Sequence, residues 1–267
     1  MKWDYKLENS KNTISKKLFV AVETFFNDDT SYYAASLSFF TIFSILPIIA
    51  LGIAIISQFQ EFNSYLDMFT NFLLNFLNPT HSDEIVNTLK NFISNSDKLG
   101  FVGIFYMLFV YIMFFKDYDY IVNKIHQTTR RAIYKSFFIY TIFFIVFPAI
   151  FIVLNLLLSF YDNNLFKKIL LFLFTWLIFF ALFKVSVNKI ISTKAAFISS
   201  FLTLTTLSIT KNLFIYYVVY NKTYTTIYGS LSTLLFSILW IYISWIIYLY
   251  GIKICHKLNM RYLNQVV

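Results

Sequence analysis

The sequence predicts an all-α polytopic membrane protein with six transmembrane helices, and three observations carry that prediction. Residues 34–57 contain no charged side chain, and about five later stretches repeat the pattern. At ~1.5 Å rise per residue, a helix of that length spans the ~30 Å hydrocarbon core of a bilayer. Hydrophobic residues make up 58% of the chain and charged ones 13%, against about 25% charged in a soluble domain, and mean hydropathy is +0.66. Finally, the 22 Lys and Arg fall unevenly between alternate connections.

Taken in order, residues 1–33 form a cytoplasmic N-terminal segment. Its polar start has no short apolar core ending in small residues, so no cleavable signal peptide is expected and the first span directs insertion. Within it, Ile14, Leu18, Ala21, Val22 and Phe25 share a stripe that excludes Lys16, Lys17 and Glu23. That pattern predicts an amphipathic interfacial helix over 14–26. Spans follow at about 34–57, 99–116, 136–160, 166–187, 195–220 and 229–251. The outer connection 58–98 carries one apolar stripe from Phe62 to Phe76. A second, of Ile85, Leu89, Phe92 and Ile93, follows Asn78-Pro79, with Asp83 and Glu84 in its first turn. Such a connection packs on the outer bilayer surface or caps the bundle. A polar loop, DYIVNKI (119–125), follows the second span. YDNN (161–164) marks a tight helical hairpin between the third and fourth, and 252–267 is read as a cytoplasmic tail.

Charge sets the orientation. Lys2, Lys6, Lys11, Lys16 and Lys17 precede the first span, and Lys116, Lys124, Arg130, Arg131 and Lys135 follow the second. Lys184, Lys189 and Lys194 follow the fourth, and Lys253, Lys257 and Arg261 follow the sixth. The other connections hold Lys90, Lys98, Lys167, Lys168 and Lys222, with Lys211 left inside a span. This asymmetry places both termini in the cytoplasm of a multi-pass inner-membrane protein and accounts for the net charge of +9 without nucleic acid. One membrane domain over 34–251 leaves no room for a separate catalytic domain.

Motifs for chemistry are absent. His81, His126 and His256 stand apart in sequence, with no H-x-H, H-E-x-x-H or C-x-x-C spacing, so no metal site or cofactor is expected. No Walker loop or G-x-S-x-G elbow occurs, and the chain is not read as an enzyme. Cys255, the single cysteine, rules out an internal disulfide and reads as an unpaired thiol at the cytoplasmic face. The 34 Phe and 20 Tyr suit lipid-facing positions and the interfacial belt.

Candidate functional residues are the polar groups inside spans. Lys211 is a strong charge placed ~13 Å deep, counting from the outer end of its helix. A lysine there either snorkels to the interface or faces an aqueous cavity that meets an anion such as a lipid phosphate. Ser199, Thr203, Thr206 and Thr210 form a polar face on the same helix, and Asn212 adjoins Lys211. Ser230, Thr233, Ser237, Ser244 and Gly251 form a similar face on the sixth span, and Ser38, Thr41 and Ser44 on the first. Small and hydroxylated residues let helices approach and hydrogen-bond, and the alternative is that the three faces line one polar cavity. Pro47 and Pro148 each remove a helix hydrogen bond, and Asn155 is placed to satisfy a carbonyl freed by Pro148.

Three stretches together resemble a known family. AASLSFFTIFSILP (34–47) is similar to A-L-A-Y-Y-T-L-L-S-L-x-P, DYIVNKI (119–125) to A-L-N-x-I, and IYGSLSTLLFSILWIYISWIIYLYG (227–251) to Y-G-S-L-G…W-x-Y…G. Order, spacing and span count also agree, so the chain resembles the YihY/BrkB family of bacterial inner-membrane proteins, long mislabelled ribonuclease BN. The resemblance implies a six-helix membrane protein linked to envelope integrity, serum resistance and movement of lipid or lipopolysaccharide. The matching positions are Thr41, Ser44, Pro47, Asn123, Tyr228, Gly229, Ser230, Trp240, Tyr242 and Gly251. Two departures stand out: Phe197-Ile198-Ser199 replaces a common P-G-A, and Lys253 replaces a common Glu near the end of the sixth span. The expected function is handling of membrane lipid or another amphiphile. The alternative is a non-transporting scaffold that contacts envelope proteins through 58–98. The sequence leaves the oligomeric state open.

Overall fold

The computed structural model describes residues 29–56, 87, 91, 100–159, 163–220 and 231–263. Among them lie six long helices and no strand: α1 (Thr30–Ile56), α2 (Gly100–Ile125), α3 (Ile133–Ser159), α4 (Asn164–Val185), α5 (Thr193–Tyr220) and α6 (Leu231–Leu263). Each overlaps one expected span. The last four are long and apolar enough to cross a membrane by length and composition. The chain is an all-α, multi-pass membrane protein. The interfacial helix expected over 14–26 lies outside the described residues, as does the outer connection apart from Asn87 and Asn91, both helical.

The outer surface of the bundle is apolar. Ile142, Ile145, Val153 and Leu157 of α3, and Leu173 and Leu177 of α4, are exposed. In lipid such side chains cost nothing to leave out, so association falls to close packing and hydrogen bonds between helices. α6 is the hub, packing against α5, α1 and α2, with α4 against α5 and α3 against α2. The core joins Ala34 and Leu37 of α1, Tyr118 and Val122 of α2, Tyr140 of α3, Phe183 of α4, Ala195 and Ala196 of α5, and Leu249 and Ile252 of α6. One contact is closer than any side chain allows. A Cβ built on Gly251 would overlap the Thr203 hydroxyl and come within 3.0 Å of the Thr203 Cβ and Cγ2.

Several expectations are corrected here. DYIVNKI is not a loop, because α2 runs on to Ile125. Tyr118, Ile121, Val122 and Ile125 recur at helical spacing and pack into the core, which continues the helix beyond the hydrocarbon-length stretch. The helix then ends in a Schellman turn. Thr128 N–H donates to Asn123 O at 3.0 Å and Gln127 N–H to Lys124 O at 3.1 Å, with Gln127 at φ 53 in the left-handed position usually given to glycine. Past Gly251, α6 continues to Leu263 with Ile252, Cys255 and Asn259 buried along one face. α3 runs unbroken through Pro148, and Asn155 donates to Phe151 O at 2.8 Å, about two turns beyond the Phe144 carbonyl that Pro148 frees. Asn163 caps α4, its Oδ1 accepting from Leu165 N at 3.0 Å and Phe166 N at 3.2 Å.

Candidate functional site

Buried polar groups gather at one end of the bundle, where α1 starts, α2 ends, α3 starts, α4 ends and α5 starts. The hydroxyl of Tyr118 on α2 pairs with Ser186 Oγ at 3.0 Å and with the hydroxyl of Tyr248 on α6. Tyr140 on α3 donates to Asp119 Oδ1 at 3.1 Å. Asn123 uses both ends of its amide. Its Nδ2 donates to Asp119 O at 2.8 Å and Ser186 O at 3.2 Å, and its Oδ1 accepts from Asn188 N at 2.7 Å. The end of a helix leaves four carbonyls without intrahelical partners. At the end of α4, Asn123 takes one of these, Ser186 O, and Arg131 Nη2 donates to Val187 O just beyond. Asn259 Oδ1, accepting from Ser192 N at 2.7 Å, docks the far part of α6 on the entry to α5. The α2–α3 connection, with Arg130 and Arg131, and the α4–α5 connection, with Lys189, therefore share one end of the molecule.

His126 lies just past α2, with 1% of its surface exposed. Its ring meets that of His256 edge to face, with centroids 5.2 Å apart, so these two histidines, far apart in sequence, are neighbours in space. Burial, and then the nearby His256 and Lys189, lower its pKa to about 4. Neither ring nitrogen has a hydrogen-bond partner. Among the described residues no three His, Cys, Asp or Glu side chains are grouped to hold a metal.

The residues singled out by sequence are placed as follows. Thr41 donates to Leu37 O at 2.6 Å and accepts from Trp245 Nε1 at 2.8 Å, joining α1 to α6. Ser44 is buried, bonds back to Thr41 O at 3.3 Å, and Pro47 follows it within α1. Thr203 is buried against Gly251 and bonds to Ser199 O at 2.7 Å. Thr206 is exposed and bonds to Leu202 O at 2.8 Å, while Thr210 and Lys211 are half-buried. Lys211 stands ~12 Å further along α5 than Thr203 at the usual helical rise. Trp240 is buried against Phe214 and Phe236. Tyr228, Gly229 and Ser230 lie outside the described residues. Sequence reasoning overlooked Tyr118, Asp119, Tyr140, Ser186 and Tyr248. Tyrosine near a span end suits the interfacial belt as well as a buried bond, and only the partner on another helix separates the two.

A family model described as virulence factor BrkB matches residues 21–265. A UPF0761 membrane protein of Haemophilus influenzae (strain 86-028NP) is 31% identical over 244 residues, covering 85% of this chain and 88% of the relative. Another, of Aggregatibacter aphrophilus (strain NJ8700), is 29% identical over 243 residues, covering 86% and 87%. A third, of Pseudoalteromonas translucida (strain TAC 125), is 28% identical over 242 residues, covering 85% and 81%. No solved structure matches the chain.

Proposed function

Because the chain belongs to the virulence factor BrkB family of membrane proteins, we propose that it handles lipid or another amphiphilic envelope component in the bacterial inner membrane. It does so without catalysis, and both termini face the cytoplasm. The observation that carries this reading is the polarity gradient of the bundle. Its wall is apolar and lipid-compatible along α3 and α4, while buried hydroxyls, amides and a carboxylate collect at one end. An amphiphile needs that combination, an apolar flank for its chains and polar chemistry at the depth of its head. The connections that carry Arg130, Arg131 and Lys189 meet at the same end, which supports placing that end at the inner leaflet. Lys211, half-buried far along α5 from that end, supplies a cation toward the opposite leaflet.

The test is lipid exchange in vesicles. With the full chain reconstituted, a fluorescent anionic lipid exchanges between leaflets several-fold faster than in protein-free vesicles. Lys211→Glu slows it and Lys211→Arg preserves it. Equal rates with and without protein overturn the lipid reading. An unchanged rate in Lys211→Ala and Lys211→Glu overturns the role of that lysine.

A further inference from the structure

Between the second half of α2 and the start of α3 lies a small cleft lined by Lys116, Asp119, Arg130, Arg131 and Ser136. Two of its polar groups are sealed from solvent and have no partner. Ser136 is 3% exposed, and its Oγ makes no hydrogen bond. Arg131 spends Nη2 on Val187 O and leaves Nη1 buried and unpartnered. Buried donors are rarely left unmet in folded proteins, so this pair calls for an occupant.

We infer that the cleft binds the phosphate of an anionic lipid headgroup. The inference rests on reading the chain as a handler of amphiphiles, and it names the headgroup chemistry. Charge selects an anion, since Lys116, Arg130 and Arg131 face a single carboxylate. That carboxylate, Asp119, is itself engaged by the Tyr140 hydroxyl at 3.1 Å. α3 begins at Ile133, on the cleft lining, so the positive end of the helix dipole points the same way. Geometry limits how much enters. Below its mouth the cleft has room for about one water-sized group. The phosphate therefore seats at the mouth of the cleft, where a small side-chain shift would turn Arg131 Nη1 and Ser136 Oγ, both closed off by neighbouring atoms, toward its oxygens. There Arg130 is exposed and Lys116 half-buried, both able to reach it. A guanidinium suits this work because its planar donors match phosphate oxygens. The surroundings favour a lipid as the source of the phosphate. Ile133 and Phe138, at the start of α3, are exposed apolar residues against which acyl chains can lie.

The experiment measures lipid retained by the purified full chain in detergent, by native mass spectrometry, with phosphatidic acid, diacylglycerol and inorganic phosphate as probes. Wild-type protein retains phosphatidic acid at least tenfold better than diacylglycerol. A Lys116→Ala, Arg130→Ala double variant loses that preference at least tenfold, and Ser136→Ala weakens it several-fold. Equal retention of the two lipids overturns the inference and leaves water as the partner of Ser136 and Arg131. Unchanged preference in the double variant also overturns it. Displacement of the lipid by an equal concentration of inorganic phosphate assigns the cleft to a free anion and overturns the lipid source. If the double variant melts early, Ser136→Ala decides the matter, since it removes one buried oxygen, and unchanged retention there sinks the proposal. Occupancy is read here without transport, so failure at this cleft and failure of lipid exchange are separately visible.

Discussion

Both nitrogens of His126 are enclosed by protein and unpartnered, a setting that tolerates the neutral ring far better than the cation. Its pKa falls from 6.5 to about 4 on folding. Between those values the unfolded chain binds the extra proton, so stability is lost as pH drops from 6.5 toward 4 and is retained above 6.5. The size is on the order of 3 kcal/mol, at ~1.4 kcal/mol per pKa unit. Melting temperatures of wild type and His126→Phe, taken in detergent from pH 7 to pH 4, check this. The wild-type curve falls more steeply, and parallel curves exclude the histidine as the cause. Asn123 shows the other limit on reading single residues. Its motif marks it out in the sequence, yet its work, holding Ser186 O and the Asn188 amide at the end of α4, depends on a segment more than sixty positions away.

Between helices, α5 and α6 approach closely at Thr203 and Gly251. Any side chain at Gly251 must push the helices apart or displace Thr203. Gly251→Ala should therefore cost about 1–3 kcal/mol, the usual range for overpacking. Adding Thr203→Ala should recover part of that loss, because it removes the overlapping hydroxyl. Thermal unfolding of the two variants checks both steps, and a Gly251→Ala protein as stable as wild type would show that the helices separate freely. Helix existence was readable in advance, because a charge-free stretch of hydrocarbon length has one stable form in lipid. Helix ends were not. α2 and α6 outrun their apolar stretches because Val122 and Cys255 join the buried core and Asn259 holds Ser192 N ahead of α5, which no local pattern reveals. The same holds for the polar end. Thr41 was visible as a hydroxyl on a helix face, but not its bond to Trp245, more than two hundred residues on.

Across the whole molecule, the unequal sharing of Lys and Arg predicts where each end lies. Alkaline phosphatase fused after Val267 should stay inactive in the bacterial cell, and a green fluorescent protein at the same place should glow. Alkaline phosphatase inserted at Asn163 should be active. The reverse pattern would invert the bundle and move the cleft beside Ser136 to the outer leaflet. The length of α6 carries one further consequence. At 33 residues it measures ~50 Å, well beyond a ~30 Å hydrocarbon core. The part beyond Gly251 forms a stiff arm of ~18 Å, pinned by Asn259 to the entrance of α5. A rotation of ~10° about the glycine would sweep the arm's tip by ~3 Å at the helical rise. Because Asn259 is fastened to Ser192, a rotation of α6 within the bilayer would drag the entrance of α5 with it.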